Sequence, residues 1–144
     1  MVPDELKAHA RRLAEELLTQ GDLAVADELL APTGNHHAPN TVATGVDGVK
    51  SWVVTLRQSF PDLRAIVEDE IAEGETVVQR LTLSGTHEGA FRGVPPTSRH
   101  VTWDLVEILR LGPDGKFTDH WVIWDLFGLL RQLGADPAAD EGSA

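Results

Sequence analysis

The sequence has no cysteine and no tyrosine, and its basic residues are few. The absence of cysteine excludes disulfide bonds and thiolate metal sites. Twelve lysines and arginines against 23 aspartates and glutamates give a formal net charge of −11 at pH 7. Nucleic acids and anionic membranes are bound through basic surfaces. We therefore expect neither a nucleic-acid partner nor a membrane partner.

Long hydrophobic runs are also missing. No uninterrupted apolar stretch approaches the length of a membrane span. The first residues, Met1 to Glu5, are acidic and polar and lack the basic segment and apolar run of a secretory signal. We expect a soluble, cytoplasmic protein. The sequence also lacks a glycine-rich phosphate loop, which argues against nucleotide binding. No serine stands in the setting of a nucleophile elbow.

Helical periodicity dominates the N-terminal part of the chain. A first amphipathic helix opens at Pro3, and residues 21–22 end it and start a second, short helix. Asp47 is positioned to cap a third helix that runs to about Ser59. Residues 35–39 are predicted to be irregular or to form an edge strand.

Strands follow the helices. Alternation of apolar and polar residues, with turn residues between, predicts strands over 63–72, 76–86, 101–111 and 117–125 and a short helix over 126–133. Helices followed by an antiparallel meander are typical of an α+β domain, with the helices across one face of a curved sheet. We expect residues 1–134 to form a single domain and residues 135–144 to be a disordered acidic tail.

The segment 101–125 is predicted to be a β-hairpin that carries ionisable groups on apolar, tryptophan-rich strands. Every second residue of its first strand is apolar except one: Val101, Trp103, Leu105, Glu107, Leu109 and Leu111. Burial disfavours the charged form of a carboxyl group, so an acid at this place is a candidate general acid or base. The alternative for Glu107 is a partly solvated acid or an ion pair with Arg80 or Arg110.

The second strand supplies two further catalytic candidates, His120 and Asp125. Histidine titrates near neutrality and can transfer a proton, although many histidines are only packed and hydrogen-bonded. Asp125 directly precedes the predicted helix, where an aspartate can equally serve as the N-cap.

The length of the hairpin loop decides which residues share a face with Glu107. A three-residue loop after Gly112 places it on the side of Asp125. A four-residue loop places it opposite Val122, on the side of His120. Because a shift of one residue turns every side chain of a strand to the other face, both alternatives stay open.

Four tryptophans accompany the absence of tyrosine. Core filling is the default role of a tryptophan, but three within two strands also suit a wall that stacks on a flat ligand, or an oligomer interface. Our candidates for substrate binding are His37, Trp52, Phe91, Trp103 and Trp124. His36 and His37 are adjacent and point opposite ways on an extended chain, and no histidine pair has the i,i+4 spacing of a helical zinc site. We expect no metal site, and acid–base chemistry in an apolar pocket without a cofactor.

Two blocks of the sequence resemble a signature of the SnoaL-like polyketide cyclases, also called ester cyclases. The first is GTHEGAFRGVPPT at 85–97. The second runs from 114 to 134 and contains DGK, then HW at 120–121, then DLFGLLRQLG. FPDL at 60–63 and GDL at 21–23 are also similar to the family. The similarity covers nearly the whole chain.

The resemblance implies a nuclear-transport-factor-2-like fold, a cone in which N-terminal helices and a strongly curved, mainly antiparallel sheet enclose one pocket. It also implies a homo-oligomer, a homodimer or homotetramer, often formed through the outer face of the sheet. Cyclases of this family that close anthracycline rings carry out an intramolecular aldol condensation without a cofactor. In them an aspartate removes a proton from the substrate, and a nearby histidine helps to handle the developing enolate.

The catalytic pair that the resemblance implies is missing at the matching positions, because the aspartate falls at Val122 and the histidine at Glu107. We therefore expect a cofactor-independent cyclase of polyketide or related secondary metabolism that acts on a flat, apolar substrate. Glu107 would transfer the proton, and His120 or Asp125 would assist. An epoxide-opening or hydroxylase-like enzyme and a non-catalytic binding protein are the alternatives, since a fold alone does not choose among them.

Overall fold

The N-terminal helices form because their apolar residues recur on one face. The structure is a computed structural model that describes residues 1–38 and 41–135. Helix α1, Pro3–Arg12, continues without a break as a π-helical segment, Leu13–Thr19. Proline suits the first helical position, where its missing N–H has no partner to lose. The residues that this continuous helix buries are Leu6, Ala10, Leu13, Ala14, Leu17 and Leu18.

The predicted break at residues 21–22 is confirmed, and α2 follows it over Ala24–Leu29. Gly21 has a φ of +72°, and a side chain there would meet the guanidinium group of Arg57. That group donates hydrogen bonds of 2.8 Å to the backbone oxygens of Leu18 and Thr19. Glycine therefore allows the third helix to be tied to the end of the π-helical segment.

The third helix, α3, spans Val46–Ser59 and ends where predicted, but it begins before Asp47, so the predicted cap is wrong. The N-cap is Gly45, with a φ of +86° and no side-chain cap, so that Asp47 lies inside the first turn. A carboxylate in that turn still interacts favourably with the positive end of the helix dipole. The helix turns Val49 and Val53 into the core.

In the described part of the chain, six strands form one curved sheet: β1 Leu30–Ala38, β2 Thr41–Thr44, β3 Arg64–Glu73, β4 Thr76–Thr86, β5 His100–Leu111 and β6 Phe117–Trp124. Their order across the sheet is β2-β1-β6-β5-β4-β3, and neighbouring strands are antiparallel except β1 and β6, which are parallel. The four predicted strands, β3 to β6, and the final helix, α4 Leu126–Gln132, are confirmed to within one residue at each end. Strand β2 was not predicted.

Strand β1 differs from the prediction of an irregular segment or edge strand. It begins at Leu30, where the sequence predicted helix, and it lies inside the sheet between β2 and β6. Pro32 and Gly34 interrupt the alternation that would have revealed it, and its register against β6 shifts between Leu30 and Asn35. A side chain at Gly34 would come within 2.8 Å of the backbone oxygen of Thr118, so the close approach of the two strands requires glycine.

The helices lie across the inner face of the sheet, and the core forms between the two layers. Alternate residues of β5 point inward and are buried, in agreement with the period of two on which the hairpin prediction rests. No helix within 1–38 or 41–135 has the length and hydropathy needed to cross a membrane. Residues 136–144, which make up nearly all of the predicted tail, lie outside the described residues.

Candidate active site

The β5–β6 hairpin combines features of both predicted loops. The backbone N–H of Gly112 donates to the oxygen of Lys116 at 2.8 Å, and Leu111 pairs with Phe117, as a three-residue loop requires. The register then shifts, with Thr118 as the extra residue of a β-bulge. The bulge moves the rest of β6 by one position and turns its side chains over relative to β5.

Beyond the bulge, Glu107 pairs with Val122 and shares the inner face of the sheet with His120 and Trp124. This is the arrangement predicted for the four-residue loop. The carboxylate Oε2 of Glu107 lies 2.9 Å from Nε2 of His120. The two side chains are only 6% and 10% exposed, so the pair is buried.

Each member of the Glu107–His120 pair has one further polar atom. Oε1 of Glu107 and Nδ1 of His120 are buried and have no hydrogen-bond partner among the described residues. Buried polar atoms are nearly always paired in folded proteins, and a catalytic role is one explanation for an exception. The pair therefore retains hydrogen-bonding capacity that a ligand can use.

A cavity of about 260 Å³ opens between α3 and the inner faces of β1 and β6. Its wall is mostly apolar and consists of His36, Ala38, Gly48, Val49, Trp52, His120, Val122 and Trp124. A smaller, more enclosed cavity of about 20 Å³ is lined by Glu107 and His120 together with leucines of the N-terminal helix. His120 lines both cavities, whereas Glu107 lines only the inner one. Histidine therefore separates the acid from the larger cavity.

The sequence profile of the SnoaL-like polyketide cyclases matches residues 8–133. The chain belongs to this family. It is 34% identical to the nogalonic acid methyl ester cyclase of Streptomyces nogalater over 122 residues, covering 84% of this chain and 88% of that protein. It is 31% identical to the aklanonic acid methyl ester cyclase DnrD of Streptomyces peucetius, covering 92% of each chain. The crystal structure of AclR from Streptomyces galilaeus superposes with a TM-score of 0.83 at 32% identity, covering 92% of this chain and 98% of that one.

Membership in the SnoaL-like polyketide cyclases confirms the family predicted from the two sequence blocks and the nuclear-transport-factor-2-like fold. It also makes the chain an enzyme of a family whose chemistry is cyclisation. The departures at Val122 and Glu107 occupy directly opposite positions of β6 and β5. In this SnoaL-like chain the buried acid is thus on the strand across from the position where the resemblance placed an aspartate.

The predicted aromatic wall of this SnoaL-like protein has two layers. Trp52 and Trp124 line the larger cavity. Trp103 and Phe91 lie behind Trp124, with ring centroids 6.5 and 6.4 Å from its ring, and both are buried. The guanidinium carbon of Arg92 lies 5.9 Å from the ring centroids of both Phe91 and Trp124. Trp52 and Trp124 can touch a ligand, while Trp103 and Phe91 hold the wall in place.

Strand alternation places His36, not the predicted His37, in the wall of the cavity. His37 is on the opposite face of the sheet, where its ring stacks on Trp121 at 5.1 Å with an interplanar angle of 7°. The ring of His36 meets that of His120 edge to face at 5.6 Å. The inner histidine of the two is thus brought next to the Glu107–His120 pair.

Asp125 is exposed and caps α4, because its Oδ1 accepts a hydrogen bond of 2.9 Å from the backbone N–H of Gly128. It lines neither cavity. The structure therefore brings together Glu107 and His120 but places Asp125 in the alternative role considered for it, that of a helix cap.

Gln79 is a further polar residue of the inner face, and it was not among the predicted site residues. It is fully buried, pairs with Glu107 across β4 and β5, and donates from Nε2 to Oε2 of Glu70 at 3.1 Å. The signal was present, because Gln79 interrupts an apolar alternation in β4 in the same way that Glu107 does in β5. Among the described residues, no three His, Asp or Glu side chains are grouped so as to hold a metal ion.

Proposed function

We propose that this protein closes a ring in a flat, largely apolar polyketide by an aldol-type reaction, with Glu107 and His120 as its acid–base pair. The observation that carries the proposal is the 2.9 Å contact between a buried carboxylate and the imidazole of His120, which lines an apolar cavity. A positioned side chain that exchanges a proton with the reacting group accelerates such reactions about 10²- to 10⁴-fold.

His120 faces the substrate in this proposal, and Glu107 lies behind it. The carboxylate accepts a hydrogen bond from the Nε2–H of the imidazole. The lone pair of the ring is then on Nδ1, where it can act as the base. When the imidazole takes up a proton, the adjacent carboxylate stabilises the resulting positive charge. Because the pair is secluded from water, this stabilisation is stronger than it would be in solution.

The reaction balances without any further reactant. A C–H bond next to a substrate carbonyl breaks, its proton passes to His120, and the electron pair forms an enolate. The nucleophilic carbon attacks a second carbonyl of the same molecule, so that a C–C bond forms. The new alkoxide then takes a proton back from His120. The product is an isomer of the substrate.

The tryptophans at 52 and 124 support a flat substrate, because an aromatic wall favours stacking with a planar ring system. The relatives named for nogalonic and aklanonic acid methyl esters support a polycyclic methyl ester as the first compound to try. These two esters are therefore the probes for the experiment.

The mass of the product tests the proposed reaction. We incubate the purified protein with nogalonic or aklanonic acid methyl ester and follow the product by liquid chromatography and mass spectrometry. Ring closure yields a new compound of unchanged mass, because the reaction is an isomerisation. A hydroxylase adds one oxygen atom from dioxygen, and opening of an epoxide by water adds one water molecule. Either mass increase, or tight binding with no new product, would contradict the proposed ring closure.

The outer face of the sheet supports a homodimer. Val106 and Ile123 pair across β5 and β6, and Ile123 is 69% exposed. In the next row, Ile108 pairs with Trp121 on the same face. A contiguous apolar patch on a sheet face is typical of a protein interface. A second copy of the chain would cover this patch.

Replacing Ile123 with lysine should separate the subunits, because the new charges would be brought together and desolvated in the interface. Sedimentation velocity should give twice the chain mass of 15.6 kDa for the wild type and a single chain mass for Ile123→Lys. Thr82→Lys, at an outward position of β4, is the control for added charge outside the Val106–Ile123 pair. A wild-type protein that sediments as one chain would rule out the dimer.

A further inference from the structure

The imidazole of His36 is buried in the cavity wall with both ring nitrogens unpaired. Its residue is 6% exposed, and neither Nδ1 nor Nε2 has a hydrogen-bond partner among the described residues. The ring lines the larger cavity together with His120, 5.6 Å away, and Trp52 of α3. The wall of a mostly apolar cavity therefore contains a polar ring whose nitrogens have no partner among the described residues.

This arrangement is unfavourable for folding alone. Leaving a buried donor or acceptor unsatisfied costs about 1–3 kcal/mol. His87, which is fully buried, leaves only Nε2 unpaired, because its Nδ1 contacts both the hydroxyl and the backbone N–H of Thr97, at 3.0 and 3.2 Å. An apolar residue at position 36 would fill the same space without the cost. The histidine is thus better explained by a ligand that completes its hydrogen bonds.

The surroundings of His36 keep its ring neutral at pH 7. Burial, His120 and His37 together lower its pKa to about 4, and Asp119 opposes the shift only weakly. A ring with this pKa stays unprotonated at neutral pH. A neutral imidazole instead offers one N–H donor and one lone pair, and its N–H can polarise a carbonyl group without giving up its proton.

We propose that His36 is a further catalytic residue, which donates a hydrogen bond from its ring to the substrate carbonyl oxygen where enolate charge develops. The inference rests on the proposed function, since it takes the Glu107–His120 pair as the group that removes the proton. His36 and His120 are register neighbours on parallel strands and face the same cavity. One substrate group can therefore have its oxygen at His36 and its adjacent carbon at His120.

The test compares His36→Phe with His36→Asn. Phenylalanine retains a ring but has no donor, whereas asparagine retains an N–H near the position of Nδ1. We measure kcat and KM for the ring closure of nogalonic acid methyl ester, and the rate at which the substrate C–H exchanges with deuterium from the solvent. Removal of one donor from an oxyanion site lowers kcat by about 10²- to 10³-fold. We expect such a loss of kcat and of exchange in His36→Phe, a KM within a few-fold of the wild type, and partial recovery of both rates in His36→Asn.

Unfolding in urea serves as the control for structure. His36→Phe should unfold at a urea concentration no lower than the wild type, because it removes an unpaired polar group. If the wild type closes the ring and both variants are as active as the wild type, the proposed role of His36 is wrong and the proposed function stands. If the wild type neither closes the ring nor exchanges the C–H, the proposed function itself fails. Equal losses in both variants, with both folded, would also overturn the donor role.

Discussion

Replacement of Glu107 by glutamine is expected to lower kcat for ring closure by about 100- to 10,000-fold, within the range of general acid–base catalysis. Glutamine has nearly the size and shape of glutamate, so the buried site stays filled. Its amide can donate a hydrogen bond to Nε2 of His120, which the carboxylate only accepts from. The imidazole would then carry its proton on Nδ1, where the proposed mechanism needs a lone pair.

Two measurements separate this effect from a loss of folding. Steady-state kinetics give kcat and KM, and unfolding in urea gives the stability. We expect stability close to that of the wild type, since a buried ionic pair contributes little net free energy over a neutral pair of the same shape. Glu75→Gln, in the exposed β3–β4 turn, is the matched control and should leave kcat within two-fold. A folded Glu107→Gln protein with kcat within a few-fold of the wild type would show that the carboxylate takes no part.

The position of Glu107 on the inner face was predictable from the sequence. Every second residue from Val101 to Leu111 is apolar except Glu107, so the face that holds the apolar residues also holds this acid. The same reasoning applied to β4 would have identified Gln79. The limits of β4 and β5 were predictable for the same reason, because local patterns determine them.

The partner of Glu107 was not predictable. It depends on a β-bulge at Thr118, and nothing in the residues of β6 distinguishes this bulge from a regular strand with a longer loop. The bulge adjoins the contact between Thr118 and Gly34, which belongs to a strand more than 80 residues earlier in the chain. These two residues meet only in the packed sheet, so their contact cannot be predicted from the local sequence.

For a related reason, the sequence could not show that His36, and not His37, faces the cavity. Alternation establishes that the two rings face opposite ways, but the direction of either ring depends on the pairing of β1 with β6. That pairing is parallel and joins residues far apart in sequence. The interruption at Pro32 and Gly34 also removed the alternation that would have related the inner face of β1 to the preceding helix.

Introduction of an aspartate at Val122 is expected to destabilise the protein by about 3 kcal/mol at pH 7, as for a buried charge without a partner. Val122 is 8% exposed and directly opposite Glu107. Side chains at paired positions of antiparallel strands have Cβ atoms about 4.5–5.5 Å apart. Two carboxylates at this distance in an apolar wall repel each other, and one of them must take up a proton or leave the site.

The double variant Glu107→His/Val122→Asp is expected to reverse most of this loss. It restores the two residue types that the family resemblance implies at these positions, and it replaces two facing acids with an acid and an imidazole. We expect its kcat to exceed that of either single variant by at least 10-fold, and its unfolding free energy to exceed that of Val122→Asp.

Urea unfolding and steady-state kinetics on the wild type, both single variants and the double variant form a thermodynamic cycle. Positive coupling in stability and rate would mean that this site can hold its acid on either strand. If the double variant has no higher kcat and no higher unfolding free energy than Val122→Asp, the acid cannot be moved from β5 to β6 by changing positions 107 and 122 alone. Other residues of the cavity must then differ as well.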